Sequence, residues 1–205
     1  MARPRSAGSK LILWVLMKIR ESGMPEETYW ESFFNTQFIL SQLKFDNTIN
    51  DAAEFGSGYG TFTIPAAKII KGKFYAFDID PVMIDRLAKR VSEENLSNVK
   101  VIKRNFVNDG TGLKDSSIDY SMLFNILHAE NPLTLLNEAY RILKPGGKVG
   151  VIHWIHSAIT PRGPSLNIRP TSLQCADWLL ESNFQIINKE ISLPPYHYGI
   201  IGMKE

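Results

Sequence analysis

From Thr48 onward, runs that read as strands alternate with runs that read as helices, and this order constrains the fold of the 205-residue chain more than any other feature. Strands separated by helices cannot close as tight hairpins. Each needs a crossover, so they lie parallel in one sheet with helices on its faces. The strand-like runs are 48–54, 73–77, 99–104, 118–123 and 148–154. A helix from 61 to 70 follows the first, and one opened by Asp80 and Pro81 runs to about Glu94 with Met83, Leu87 and Val91 on its apolar face. The helix over 132–143 buries Leu135, Leu136, Ala139 and Leu143 and stops at Lys144-Pro145-Gly146-Gly147. Another starts at Ser172, where Thr171 and Gln174 have capping-box spacing. The last two strands, 184–190 and 198–203, are joined by so short a link that they must run antiparallel. The expected fold is α/β: a Rossmann-like, doubly wound, mostly parallel sheet of seven strands with a C-terminal antiparallel hairpin.

Residues 24–43 break the alternation and read as two short helices carrying Tyr29, Trp30, Phe33 and Phe34. Residues 1–47 are therefore an N-terminal helical extension of the domain formed by 48–205. Arg3, Arg5 and Lys10 precede the apolar run Leu11–Met17, which superficially resembles a secretory signal. Lys18 and Arg20 follow at once, with no small-residue cleavage site. The run is also far short of the roughly 20 residues that span a bilayer. The expectation is a cytoplasmic protein without a stable membrane anchor, whose first apolar helix packs on the domain. The single cysteine excludes an internal disulfide and a multi-thiolate metal site. A net charge of +2 gives no electrostatic footprint for nucleic acid.

Between the first strand and the first crossover helix stands Glu54-Phe55-Gly56-Ser57-Gly58-Tyr59-Gly60. Glycines there let a backbone approach a ligand beyond the carboxyl ends of the strands, and the helix start offers free amides. A tight turn without a ligand remains an alternative for three glycines alone. A dinucleotide fingerprint needs its third glycine at position 61, where Thr61 stands, so the nicotinamide reading fits less well. Asp78, just past the second strand, is placed to accept hydrogen bonds from both hydroxyls of a ribose. Asp80 is read as a helix cap.

This set of features resembles the class I S-adenosylmethionine-dependent methyltransferases. Those features are the acidic-x-Gly-x-Gly-x-Gly loop, Asp78, the 143–147 turn and the final hairpin. The resemblance is to the small-molecule branch that includes quinone-biosynthesis enzymes. It covers 48–154 well, is weaker beyond, and is absent from the first forty-odd residues. It implies S-adenosylmethionine as cofactor. Glu54, Gly56, Ser57, Gly58 and Gly60 match the cofactor loop, and Asp78 with Ile79 matches the ribose position. Asn105 and Phe106 match the adenine position, with Asn replacing the usual Asp but keeping an amide oxygen that can accept from the adenine amino group. Asn125 matches the methionine end.

The acceptor side is less determined. His128, His153 and His156 follow the fourth and fifth strands and are candidates for an acid–base role. No carboxylate accompanies them at ligand spacing, so no metal is expected. Arg162 and Arg169 on a proline-stiffened loop, with His197, are candidates to hold an anionic small-molecule acceptor. Leu193-Pro194-Pro195-Tyr196 is the wrong composition and position for the motif of nucleic-acid amino-methyltransferases, and reads as a stiff hairpin turn. An RNA or protein methyltransferase remains the near alternative. A nucleotide-binding module or NAD-dependent dehydrogenase is the more distant one.

Overall fold

The computed structural model describes residues 23–205, so the apolar run 11–17 lies outside the described residues. Seven strands form one sheet: β1 (Ala52–Phe55), β2 (Phe74–Asp78), β3 (Val99–Lys103), β4 (Ile118–Phe124), β5 (Leu143–Trp154), β6 (Gln185–Leu193) and β7 (His197–Met203). Their order is β3-β2-β1-β4-β5-β7-β6. β1 to β5 pair in parallel, and β7 lies antiparallel between β5 and β6, with Trp154 opposite His197. The expected sheet and its antiparallel end are both present. The connection direction reverses between β1 and β4, so their carboxyl ends open a crevice at the switch point.

The helices are α1 (Glu27–Glu31), α2 (Thr36–Gln42), α3 (Thr63–Ile69), α4 (Pro81–Glu93), α5 (Phe106–Asp109), α6 (Pro132–Ile142) and α7 (Ser172–Glu181). Side-chain alternation along the strands divides the core in two. Ala52, Phe74 and Met122 face α2, α3 and α4, whereas Ala53, Phe55 and Leu123 face α6 and α7. Ile39, Leu40 and Leu43 of the N-terminal part are buried in the first layer. The buried Tyr120 hydroxyl donates to Leu43 O at 2.8 Å, fastening the end of α2 to the sheet. Asp80 caps α4 by accepting from Val82 N, and the Thr171–Gln174 capping box is formed at α7.

Several element bounds differ from the sequence reading, most of them by one or two residues. β1 begins at Ala52 rather than Thr48, because Thr48 bonds to the Asp46 carboxylate, and the N–H groups of Asn50 and Asp51 are taken by that of Asp119. β5 begins at Leu143, through the expected turn. Gly146, at φ +78°, donates to Lys204 O, and Lys204 N donates to Gly147 O, so the chain end extends the pairing there. The short α5 was not expected; Asn105 caps it.

Candidate active site

A cleft of about 1180 Å³, counted out to its open mouth, sits over the carboxyl ends of β1, β2 and β4. Its floor is the glycine loop. Gly56 N and Ser57 N both donate to Phe77 O, at 2.8 and 2.9 Å, which ties the loop to the end of β2. Gly56, Gly58 and Gly60 have φ of +77°, +52° and +82°, the left-handed region that glycine enters without penalty. A side chain at Gly60 would place its first carbon 2.4 Å from Leu87 Cδ1 of α4. Gly60 therefore lets a helix approach the loop, and it lies outside the cleft wall.

Asp78 is the joint of the floor. One carboxylate oxygen accepts from Gly58 N at 2.8 Å and the other from Asp80 N at 2.9 Å. Burial pushes its carboxyl above the usual range, and those backbone donors pull the other way. Glu54, 3% exposed, is bonded to the Thr63 hydroxyl. Burial, with the charge of Asp78 beside it, lifts its pKa to about 8. Asn125 holds φ +55°, rare for a residue with a side chain. Among the described residues, the buried Asn125 Oδ1 and Ser57 Oγ find no hydrogen-bond partner.

Glu54, Gly56, Ser57, Gly58, Asp78, Ile79, Asn105, Phe106 and Asn125 all line the cleft. Asn105 differs from expectation in one respect: its amide oxygen accepts from Asn108 N at 3.3 Å, within its own cap.

The outer wall is aromatic. Trp154 closes β5, with ring centroids 6.3 Å from Trp30, 5.3 Å from Phe33 and 4.3 Å from His197. Trp30 and Trp154 face the cleft together with Met24, Phe62, Phe124, Gly163 and Pro164. The cap bearing Trp30 is fastened to α4 and the floor. Arg90 pairs with Glu27 and Glu31 at 3.0 and 2.7 Å and donates to Tyr59 O, while the Tyr59 hydroxyl donates to Pro25 O.

The structure separates the acceptor-side candidates. His128 and Arg162 line the cleft. His153 lies behind His128, fully buried. His156 Nδ1 is 2.8 Å from Arg169 O. Arg169, 6% exposed, donates to the carbonyls of Ile155, Ser157 and Pro164 and to the Thr160 hydroxyl; it shapes the loop from within instead of facing the cleft. His197 is packed between Trp154 and Phe34, and burial depresses its pKa to about 3. The sequence reading did not single out Trp154 or Phe124. Their places at the carboxyl ends of β5 and β4 are the signal that would have marked them.

The methyltransferase domain family matches residues 52–147. The demethylmenaquinone methyltransferase of a Geobacillus species is 34% identical over 95 residues, which are 45% of this chain and 40% of that protein. The ribosomal protein L11 methyltransferase of Bacillus velezensis is 34% identical over 107 residues, 52% of this chain and 31% of that protein. This chain thus spans well under half the length of both relatives. The crystal structure of an S-adenosylmethionine-dependent methyltransferase from Aquifex aeolicus superposes with a TM-score of 0.77 at 21% identity, covering 88% of this chain and 94% of that one.

Proposed function

We propose that this chain, which belongs to the class I S-adenosylmethionine-dependent methyltransferases, moves a methyl group from that cofactor to a small acceptor. The observation that carries the reading is the cleft floor. Ser57 Oγ and Asn125 Oδ1 are buried there without partners among the described residues, beside a doubly anchored Asp78. Buried polar atoms without partners are rare in folded proteins, and a polar ligand accounts for them.

The residues present fit the cofactor. Each Asp78 oxygen has accepted one backbone N–H and keeps capacity for a ribose hydroxyl. Ile79, Phe106 and Val107 offer an apolar slot for a flat base, with the Asn105 amide at its edge. Asn125 and the loop backbone are left for the amino-acid end. When bound, S-adenosylmethionine supplies a methyl group that is electrophilic without further activation. The chain's own part is to position the acceptor and to exclude water. Trp30, Phe62, Phe124 and Trp154 are suited to both tasks for an apolar, ring-bearing molecule. His128 is the histidine in the wall that would take a proton from a hydroxyl acceptor. Arg162 is the cation that would hold an anionic group at the rim.

A second reading, an RNA or protein acceptor, is favoured by the relatives that methylate ribosomal protein L11. The near-balanced charge of +2 and the enclosed aromatic wall weigh towards the small molecule. Incubating the purified chain with methyl-labelled cofactor and, separately, small-metabolite extract, total RNA and ribosomal protein tests this. Label is expected in the metabolite fraction; label only in RNA or protein would replace the proposal with the second reading.

A further inference from the structure

The chain between β3 and β4, residues 104–117, brings Asn105, Phe106 and Val107 to the cleft. Its helix, α5, is a single turn of four residues, too short to hold itself in place. Side chains outside the cleft hold it instead. Arg104 folds back over the turn that follows, donating from Nη2 to Asp109 O at 2.9 Å and from Nε to Gly110 O at 2.6 Å. Glu138, on α6, takes the next residue: its Oε1 accepts from both the N–H and the hydroxyl of Thr111, each at 2.6 Å. A side chain at Gly110 would bring its first carbon to 3.0 Å from that same oxygen, so the glycine admits the carboxylate. Arg141 completes the clamp. It donates to both oxygens of Glu138, at 2.8 and 2.7 Å, and its remaining nitrogen donates to Asp115.

We propose that Glu138, which does not line the cleft, is a positioning residue for its adenine end: it fixes the segment that presents Asn105 and Phe106 to the base. The proposal rests on the reading above, in which the cleft takes S-adenosylmethionine with its base against Ile79, Phe106 and Val107.

The segment is fixed at two ends. At the first, Arg104 N donates to Asp78 O at 2.8 Å, and Phe106 packs edge to face on Phe55 of β1 at 5.6 Å. At the second stands Glu138. Its neighbours on α6, Leu135, Leu136, Ala139 and Ile142, are fully buried in the core, so the anchor does not move with the loop. The Glu138 side chain is 11% exposed and Thr111 is 4% exposed, so water competes little for the bonds between them. Releasing this end would let α5 pivot about Arg104.

The two residues that meet the base respond differently to such a shift. Packing on Phe106 is non-directional and tolerates it. A hydrogen bond to the Asn105 amide depends on angle and does not. Asn108 N–H holds the oxygen of that amide, not its NH2, on the cap side. The oxygen's second lone pair suits the amino group of adenine and repels a base with an oxo group in its place. Glu138 therefore acts on the choice of base, beyond its share in stability.

Calorimetric titration of the full chain with S-adenosylhomocysteine and with S-inosylhomocysteine, in which an oxo group replaces the adenine amino group, tests this. Wild type should prefer the adenine compound by about tenfold or more, the scale of a buried hydrogen bond made in one complex and lost in the other. Glu138→Ala should bind S-adenosylhomocysteine about tenfold more weakly and reduce the preference to about threefold or less. Thr111→Val leaves the Glu138–Arg141 pair whole and removes one of the two bonds from Thr111. It should move the preference the same way by a smaller factor, and it decides the matter if Glu138→Ala fails to fold. A Glu138 that only stabilises the fold would lower the melting temperature and leave the ratio of the two affinities unchanged. That result, or equal affinity of wild type for both compounds, would overturn the proposal. Failure of the methyltransferase reading would look different: wild type would bind neither compound.

Discussion

The floor of the cleft and its outer wall are built from different material. The floor is backbone and short polar side chains at the ends of β1, β2 and β4. The Asp78 carboxylate accepts from Asp80 N–H two residues on and from Gly58 N–H of the neighbouring strand's loop, 20 residues away. The wall is large rings and loop, contributed by parts of the chain remote from one another: Arg162 bonds to Gly23 O across 139 residues. A floor held by backbone hydrogen bonds between neighbouring strand ends suits a ligand that never changes, and a wall of packed rings can change its shape while the floor stays intact. Substitutions on one side should therefore leave the other side's property alone.

The largest expected effect is at the wall. Trp154, 1% exposed and ringed by Trp30, Phe33, Tyr196 and His197, also belongs to the core. Trp154→Ala should cost about 3–5 kcal/mol of folding stability. Denaturant titration measures that loss, and calorimetry on the folded protein should show cofactor affinity within about threefold of wild type, less than 0.7 kcal/mol. A parallel collapse of affinity would mean that the two sides are not separable.

On the floor, Glu54 gives a pH signature. Its pKa is raised from 4.5 to about 8, so the folded chain keeps a proton that the unfolded chain releases. That contribution to stability is full below pH 4.5 and is lost as pH rises through about 8, an effect of a few kcal/mol in order of magnitude. Asp78, raised by the same burial, acts in the same direction. Glu54→Gln should flatten the fall, as read by melting temperature against pH. An equally steep fall in that variant would place its origin elsewhere.

Asp78→Ala should weaken cofactor binding by roughly 1.5–3 kcal/mol, the scale of hydrogen bonds to a charged group. Asp80→Ala, which removes a helix cap, should cost about 1 kcal/mol of stability and less in cofactor affinity than Asp78→Ala. The reverse ranking by calorimetry would move the ribose site from Asp78 to Asp80. The smallest effect is at the rim. Arg162→Lys should raise the Michaelis constant of an anionic acceptor several-fold, about 1 kcal/mol, without changing cofactor affinity, because a point charge cannot reproduce the guanidinium fork. Unchanged kinetics would leave Arg162 as loop surface.

The same contrast explains what could be read from the sequence. The sheet, the caps at Asp80 and Thr171 and the floor residues are encoded in short segments, where a strand, a turn and a helix follow one another within hydrogen-bonding reach. The wall is not local. Nothing in the neighbourhood of Trp30 says that it meets Trp154, and nothing near Arg169 says that its guanidinium turns inward onto carbonyls while Arg162 reaches the cleft. His128 and His153 read alike in the sequence, both following or closing a strand, but the pleat buries one behind the other. Gly60 has the reverse history: its spacing matched a ligand loop, and the structure puts a helix contact there.

The most direct measurement is a calorimetric titration of the purified chain with S-adenosylmethionine, S-adenosylhomocysteine and NAD, repeated on Asp78→Ala. Both sulfur compounds should bind at one site per chain, NAD should not, and the variant should bind both more weakly by roughly ten- to a hundredfold. Tight NAD binding with no heat from either sulfur compound would contradict the assignment of the cleft.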